Sequence, residues 1–219
     1  MSSLANGSNP KRAKTYPHAS NNPEIRFFQD LLRHRTVSSE APRTGAYREC
    51  VEFLNDKCKE LKLTTKIVEF VENKPVLLAT RVGTEPDLPA ILLNSHYDVV
   101  PVMREHWNVE PFEGIIKEDK IWGRGTQDMK CVCAQYLIAL ERLKDVELKR
   151  TIHLSFVPDE EIGGADGMGL LVKSEEFKQL GNIGVAFDEG LANEKDAYTV
   201  FYGVSKLGSG GSIGQTTGA

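Results

Sequence analysis

No stretch of this sequence approaches the ~20 consecutive apolar residues that a membrane-spanning helix requires, so no membrane association is expected. An excess of positive charge is missing as well: 27 Lys and Arg stand against 31 Asp and Glu, a formal net charge of -4. Without a broad basic surface to neutralise phosphates, nucleic acid is not an expected partner. Cysteine is scarce. Cys50, Cys58, Cys131 and Cys133 fall in segments patterned as helices, and no apolar leader stands ahead of them. Reduced thiols in a cytoplasmic protein are therefore expected rather than a disulfide framework. Cys131 and Cys133 are two apart on a helix and face different sides, which argues against a metal shared between them. Internal repeats are absent. The polar segment 1–22 and the Gly/Ser-rich segment 205–219 hold too few large apolar side chains to bury, and both are expected to be disordered.

What lies between, residues 23–204, reads as one α/β domain, a mixed, mainly parallel sheet flanked by helices. Ile25, Phe28, Leu31 and Leu32 recur at helical spacing. Tyr47, Val51, Phe53, Leu54, Cys58 and Leu61 form a longer helical stripe, followed by TTKIVEFV and KPVLLATRV, which are rich in β-branched residues and read as strands. PAILLNS is a continuous apolar run of the kind covered on both faces, a buried strand ending at His96. GIIKED and KIWGRG predict a short hairpin turning around Glu118 to Lys120. Met129, Val132, Cys133, Tyr136, Leu137, Leu140 and Leu143 mark one face of a helix running to about Asp145. TIHLSFV and NIGVAF are further apolar strands, with a helical stretch between them around Met168 to Leu180, and AYTVFYGV reads as a last strand.

Chemistry concentrates in Ser95-His96-Tyr97-Asp98, Gln127-Asp128-Met129-Lys130, Asp159-Glu160-Glu161 and Asp188-Glu189. His96, the acidic triplet and Asp188 each close a predicted buried strand, and ligands of open α/β sheets bind outside the C-terminal strand ends. His96 and Asp98, two apart in extended backbone, point to the same side. One can then ligate a metal while the other accepts the second imidazole N–H and fixes the tautomer. Asp128 precedes a helix, where capping of free backbone N–H groups competes with ligation as its role. Glu160 and Glu161 read either as solvated acids at a strand end or as diverging neighbours with two jobs, one binding metal and one taking a proton from water. His153 alternates with Ile152 and Leu154 in a strand and reads as structural. His106 and Trp107 sit in the loop after the first motif, and His18 and His34 carry no pattern.

Taken in order, LLNSHYDVVPV, HW, PFEG, GRGTQDMK, SFVPDEEIGG and FDEGLAN resemble the aminoacylase-1-like branch of the co-catalytic zinc amidohydrolases and peptidases, over roughly Pro23 to Val204. The resemblance implies an incomplete zinc-exopeptidase-like catalytic domain. In it His96, Asp128 and Asp188 bind one zinc, and Asp128 bridges to a second zinc held also by Glu161. Glu160 is then the general base and Asp98 the carboxylate partner of His96. The implied reaction is hydrolysis of a small N-acyl-L-amino acid to a carboxylate and a free amino acid. Zinc would lower the pKa of its bound water toward ~7, and Glu160 would move that proton to the leaving amine.

Members of the family complete the second zinc site with a late histidine and insert a further domain for dimerisation and substrate closure. Here the histidines are His18, His34, His96, His106 and His153, and none follows Asp188. The chain is thus expected to be the first part of a longer protein. Its sheet should keep an exposed edge, its second zinc should lack a ligand, and the homodimer of full-length members is in doubt. Two readings stay open on the sequence, an acylase impaired by what is missing and a non-catalytic metal-binding or interaction protein. A related dipeptidase or deacylase is a third.

Overall fold

Asn22 and Pro23 begin the first helix for separate reasons. The Asn22 side-chain oxygen accepts the N–H groups of Glu24 at 2.9 Å and Ile25 at 3.4 Å, and Pro23 needs no N–H partner in the first turn. The computed structural model describes residues 20–190, so the N-terminal segment through residue 19, the strand expected in AYTVFYGV and the Gly/Ser-rich end lie outside the described residues. Within them run α1 (Pro23–Leu32), the short α2 (Ala41–Thr44) and α3 (Ala46–Glu60), then β1 (Thr64–Glu69), β2 (Pro75–Arg81) and β3 (Ala90–His96). The hairpin β4 (Ile115–Lys117) and β5 (Lys120–Trp122) follows, turning at Glu118 and Asp119 with φ of 53° and 56°. Two consecutive positive φ values match the right-handed twist of a hairpin joined by two residues. The order closes with α4 (Lys130–Arg142), β6 (Ile152–Val157), α5 (Met168–Leu171), α6 (Glu175–Lys178) and β7 (Ile183–Phe187).

The sheet has the order β1-β2-β6-β3-β7. β6, β3 and β7 run parallel, while β2 is antiparallel to β6 and to β1. One face carries Leu77, Ala79, Leu154 and Phe156 against Leu31, Tyr47, Val51, Leu54, Cys133 and Leu137 of α1, α3 and α4. On the other face Val76, Leu78 and Val157 pack against Leu171, Met168 and Phe177 of the two short helices. That second face also holds polar pairs. Thr80 Oγ1 and His153 Nδ1 lie 2.8 Å apart, and Ser155 Oγ donates to Asn94 Oδ1 at 2.6 Å. All four cysteines are free, and among the described residues no helix is long and apolar enough to cross a membrane.

Three sequence expectations need correction. β7 is not a buried strand: it is the outer strand of the sheet, with Val185 42% and Phe187 50% exposed, because no described strand pairs with its far edge. The helical stretch around Met168 to Leu180 is two helices, broken where Ser174 turns extended and caps α6 by accepting the N–H of Phe177. The helix after Asp128 stops at Arg142 rather than near Asp145. Beyond its end, the Arg81 guanidinium takes the carbonyls of Leu143 (2.9 Å), Lys144 (3.3 Å) and Val146 (2.6 Å), and the chain leaves α4 through a tight turn in which the Val146 N–H returns to the Leu143 carbonyl at 3.0 Å.

Phe156 is wholly buried between the sheet and its helical layer. Phe156→Ala should cost about 3–5 kcal/mol, read as a lower urea midpoint at unchanged slope, and a loss below about 1 kcal/mol would contradict the packing described.

Candidate metal centre

β3 delivers His96 to the C-terminal edge of the sheet, where its ring is only 1% exposed. Its Nδ1 lies 3.1 Å from the Asp98 carbonyl and 3.3 Å from Asp98 Oδ1. On the far side of the ring, Nε2 lies 3.0 Å from Asp128 Oδ1, 3.6 Å from Glu160 Oε2 and 3.8 Å from Glu189 Oε1. One nitrogen is thus held from behind while the other faces a group of carboxylates.

Asp98 does more than hold the ring. Fully buried, its Oδ1 accepts the N–H of Glu160 at 3.1 Å, and its Oδ2 accepts the N–H of Glu161 at 3.2 Å and the Ser38 hydroxyl at 2.8 Å. A single carboxylate therefore fixes the imidazole and the backbone that presents both glutamates. Just before them Asp159 takes φ 63°, a left-handed conformation, and its buried carboxylate meets the Tyr47 hydroxyl at 2.8 Å and Lys74 Nζ at 2.5 Å. The meeting of Asp159 with Tyr47 and Lys74 escapes a sequence reading because it depends on α3, the loop ahead of β2 and the end of β6 converging.

Asp128 arrives on the loop GRGTQDMK. Gly125 has φ 87°, and a Cβ there would stand 2.9 Å from Val99 Cγ1, so the tight path requires glycine. The capping role weighed for Asp128 is corrected: Met129 is the residue at the cap of α4, no side chain bonds there, and Asp128 turns to His96 instead. The Asp128–Met129 peptide is cis. Buried Met129 receives the His96 N–H on its sulfur at 3.2 Å. Lys130, wholly buried, donates to the carbonyls of Leu31 (3.2 Å) and His34 (2.6 Å) and so ties the start of α4 to the end of α1. Burial pushes its ammonium pKa down.

At the end of β7 the two acids part company. Asp188 Oδ2 accepts from Asn94 Nδ2 at 2.9 Å and Oδ1 accepts the N–H of Glu189 at 2.9 Å, whereas the Glu189 carboxylate reaches His96. Ligand atoms of His96, Asp128 and Glu189 lie within 4.8 Å of one another. The sequence reading placed Asp188 with His96, and the structure brings Glu189 there. Adjacent side chains at a strand end diverge, so only one of the pair can face the imidazole. Glu161 stands on the same turn as Glu160, close enough that the Asp128 and His96 charges act on it.

The electrostatics are those of crowded anions. Burial raises the pKa of Glu189 to about 7, helped by its hydrogen bond with Asp128, and burial also raises those of Glu160 and Glu161. Burial opposes charge on His96, yet Asp98, Glu189 and Glu160 outweigh it and lift the imidazole to about 9. One imidazole nitrogen with several carboxylate oxygens is a donor set that suits zinc, and the carboxylate behind the ring is the usual support for a ligating histidine.

The model of the family described as Peptidase family M20/M25/M40 matches residues 92–209. Aminoacylase-1 of Sus scrofa is 52% identical over 184 residues, covering 82% of this chain and 44% of that protein. Aminoacylase-1 of Mus musculus is 47% identical over 186 residues, covering 84% and 44%. The chain thus spans less than half the length of these relatives. Among solved structures, the M20 family metallo-carboxypeptidase Sso-CP2 from Sulfolobus solfataricus superposes with a TM-score of 0.68 at 25% identity, over 78% of this chain and 38% of that one. Human carnosine dipeptidase 1 shares the fold, with a TM-score of 0.65 at 19% identity over 75% and 38%.

Raised pKa values mean that the folded, metal-stripped chain binds more protons than the unfolded one, so its stability falls as pH rises. The Glu189 contribution is lost between about 4.5 and 7. That of His96 is complete below 6.5 and lost as pH rises through about 9. Burial, then the Lys130 charge, pushes His34 down to about 4, so above about 6.5 it is neutral whether folded or not and adds no slope. With a chelator present the urea midpoint should drop between pH 6.5 and 9, and drop less in His96→Gln. A flat profile in the parent chain would refute this electrostatic description.

Proposed function

The chain belongs to peptidase family M20/M25/M40, and from that membership we propose that it carries the front part of a zinc-dependent amide hydrolase site whose substrate class is the N-acyl-L-amino acids. One observation carries the reading: His96 Nε2 faces Asp128, Glu160 and Glu189 while Asp98 holds its Nδ1, all at the C-terminal edge of the parallel strands. His96, Asp128 and Glu189 would hold one zinc, with Asp128 shared toward a second that Glu161 serves. Bound there, zinc supplies a Lewis acid that acidifies a water and polarises an amide carbonyl.

The remaining steps belong to the chain's own side chains. Asp98, accepting from Nδ1, keeps His96 in the tautomer that leaves Nε2 free. Through the N–H of Glu160 the same carboxylate aims that residue at the reacting face. Glu160, 3.6 Å from His96 Nε2 and raised in pKa by its burial, takes a proton from the attacking water. As the C–N bond breaks and the new C–O bond stays, it passes that proton to the leaving amine, which departs as a free amino acid. The likeness to aminoacylase-1 supports acyl amino acids ahead of dipeptides. The free thiols support a cytoplasmic setting.

A second reading, a metal-binding protein without turnover, draws on His96 being the one imidazole that the carboxylate cluster holds among the described residues. Zinc content and hydrolysis of an N-acetyl amino acid, measured on the purified chain, separate the two. Glu160→Gln should lower turnover about 100- to 10,000-fold with zinc content unchanged. Glu189→Gln should weaken zinc binding itself. Zinc bound without turnover favours the second reading, and turnover indifferent to Glu160→Gln removes that residue from the reaction.

A further inference from the structure

Three parallel strands meet at one level just below the metal centre, and each contributes one polar residue there. In the pairing of β3 with β6, Asn94 stands opposite Ser155. The pairing of β3 with β7 ends at Leu93 opposite Phe187, so Asp188 follows at the level of Asn94. The three side chains form a chain of hydrogen bonds. Ser155 Oγ donates to Asn94 Oδ1 at 2.6 Å, Asn94 Nδ2 donates to Asp188 Oδ2 at 2.9 Å, and Asp188 Oδ1 accepts the N–H of Glu189 at 2.9 Å. Ser155 is 0% exposed and Asn94 6%.

We propose that Asn94, oriented by Ser155, is a positioning residue that anchors Asp188 and thereby turns Glu189 toward His96 and Asp128; this rests on the reading of that cluster as a zinc site. The two ends of an asparagine amide are alike in shape, and only hydrogen-bond partners decide which faces which way. The Ser155 hydroxyl occupies the oxygen end and commits the NH2 end to Asp188. With both Asp188 oxygens engaged, the neighbouring carboxylate is left for the metal.

The anchor matters because β7 is the weakly held strand. It lies outermost with its apolar residues half exposed, whereas β3 and β6 are central. A ligand at the end of such a strand has its direction set by whatever ties that end to the buried strands, and the strongest side-chain tie is Asn94. The Tyr136 hydroxyl adds a longer tie, donating to the Asp188 carbonyl at 3.4 Å. Aspartate at position 94 would set two carboxylates against each other, so the amide is the chemistry the position requires.

The test is zinc affinity of the full chain, by competition with a chromophoric chelator, with folding followed separately by urea denaturation. Asn94→Leu should weaken zinc binding about 10- to 100-fold, the usual effect of removing a group that orients a metal ligand. Asn94→Asp should do the same, and Ser155→Ala should cost less than about tenfold. Thr80→Val, which removes a polar pair of the same sheet with no link to the centre, should lower the urea midpoint and leave zinc affinity alone. In a Glu189→Gln background Asn94→Leu should add little, because the ligand it positions is already gone. Parental zinc affinity in folded Asn94→Leu overturns the inference. If that variant does not fold, parental affinity in both Asn94→Asp and Ser155→Ala overturns it instead. Failure of the parent chain to bind zinc overturns the reading of the centre itself, and this inference with it.

Discussion

The Asp98 carboxylate is the point on which the site turns. It is completely buried, and an ionised carboxylate persists in such a place only when its oxygens are well supplied with donors. The suppliers come from three separate parts of the chain: the His96 ring beside it, the Ser38 hydroxyl after α1, and the N–H groups of Glu160 and Glu161 after β6. Satisfying one buried charge therefore forces the imidazole and the glutamate turn into a fixed relation. The apolar layers on either side of the sheet make the molecule stable, but they do not specify that relation.

Around Asp98 the charges are arranged asymmetrically. The cations near the centre are committed to structure, Lys130 to the carbonyls that end α1 and Lys74 to Asp159 and Asp166. Neither faces the carboxylates of Asp128, Glu160 and Glu189, which are left to crowd His96. Such an arrangement makes poor sense as a salt-bridge network, since like charges gathered around one imidazole raise one another's energy. It makes sense as a receptacle for a divalent ion.

Much of this was legible in residue order. The hairpin at Glu118 and Asp119, the continuous apolar β3 and the stripe of α4 are local patterns, and local patterns survive into the fold. His96 with Asp98, and Glu160 with Glu161, were legible for the same reason, since their meaning lies in a spacing of one or two residues. What escaped was non-local. That β7 lies outermost follows from strand order, which its own apolar run cannot reveal. Asp188 and Glu189 are adjacent acids, and which of them faces His96 is decided by Asn94 on another strand. Lys130 reads as an ordinary charge at a helix start, although it is completely buried with its ammonium on the carbonyls of Leu31 and His34.

The outer position of β7 has one more consequence. His96 sits on a central strand and Glu189 at the end of a peripheral one, so an ion gripping both acts as a clasp across the sheet. Linkage makes that clasp reciprocal: the free energy by which the ion steadies the rim strand equals that by which a steadier rim strand tightens the grip on the ion. Among the described residues no strand pairs with the far edge of β7, so a segment that steadied that edge would be a thermodynamic effector of an ion held there, although it touched none of the donor atoms.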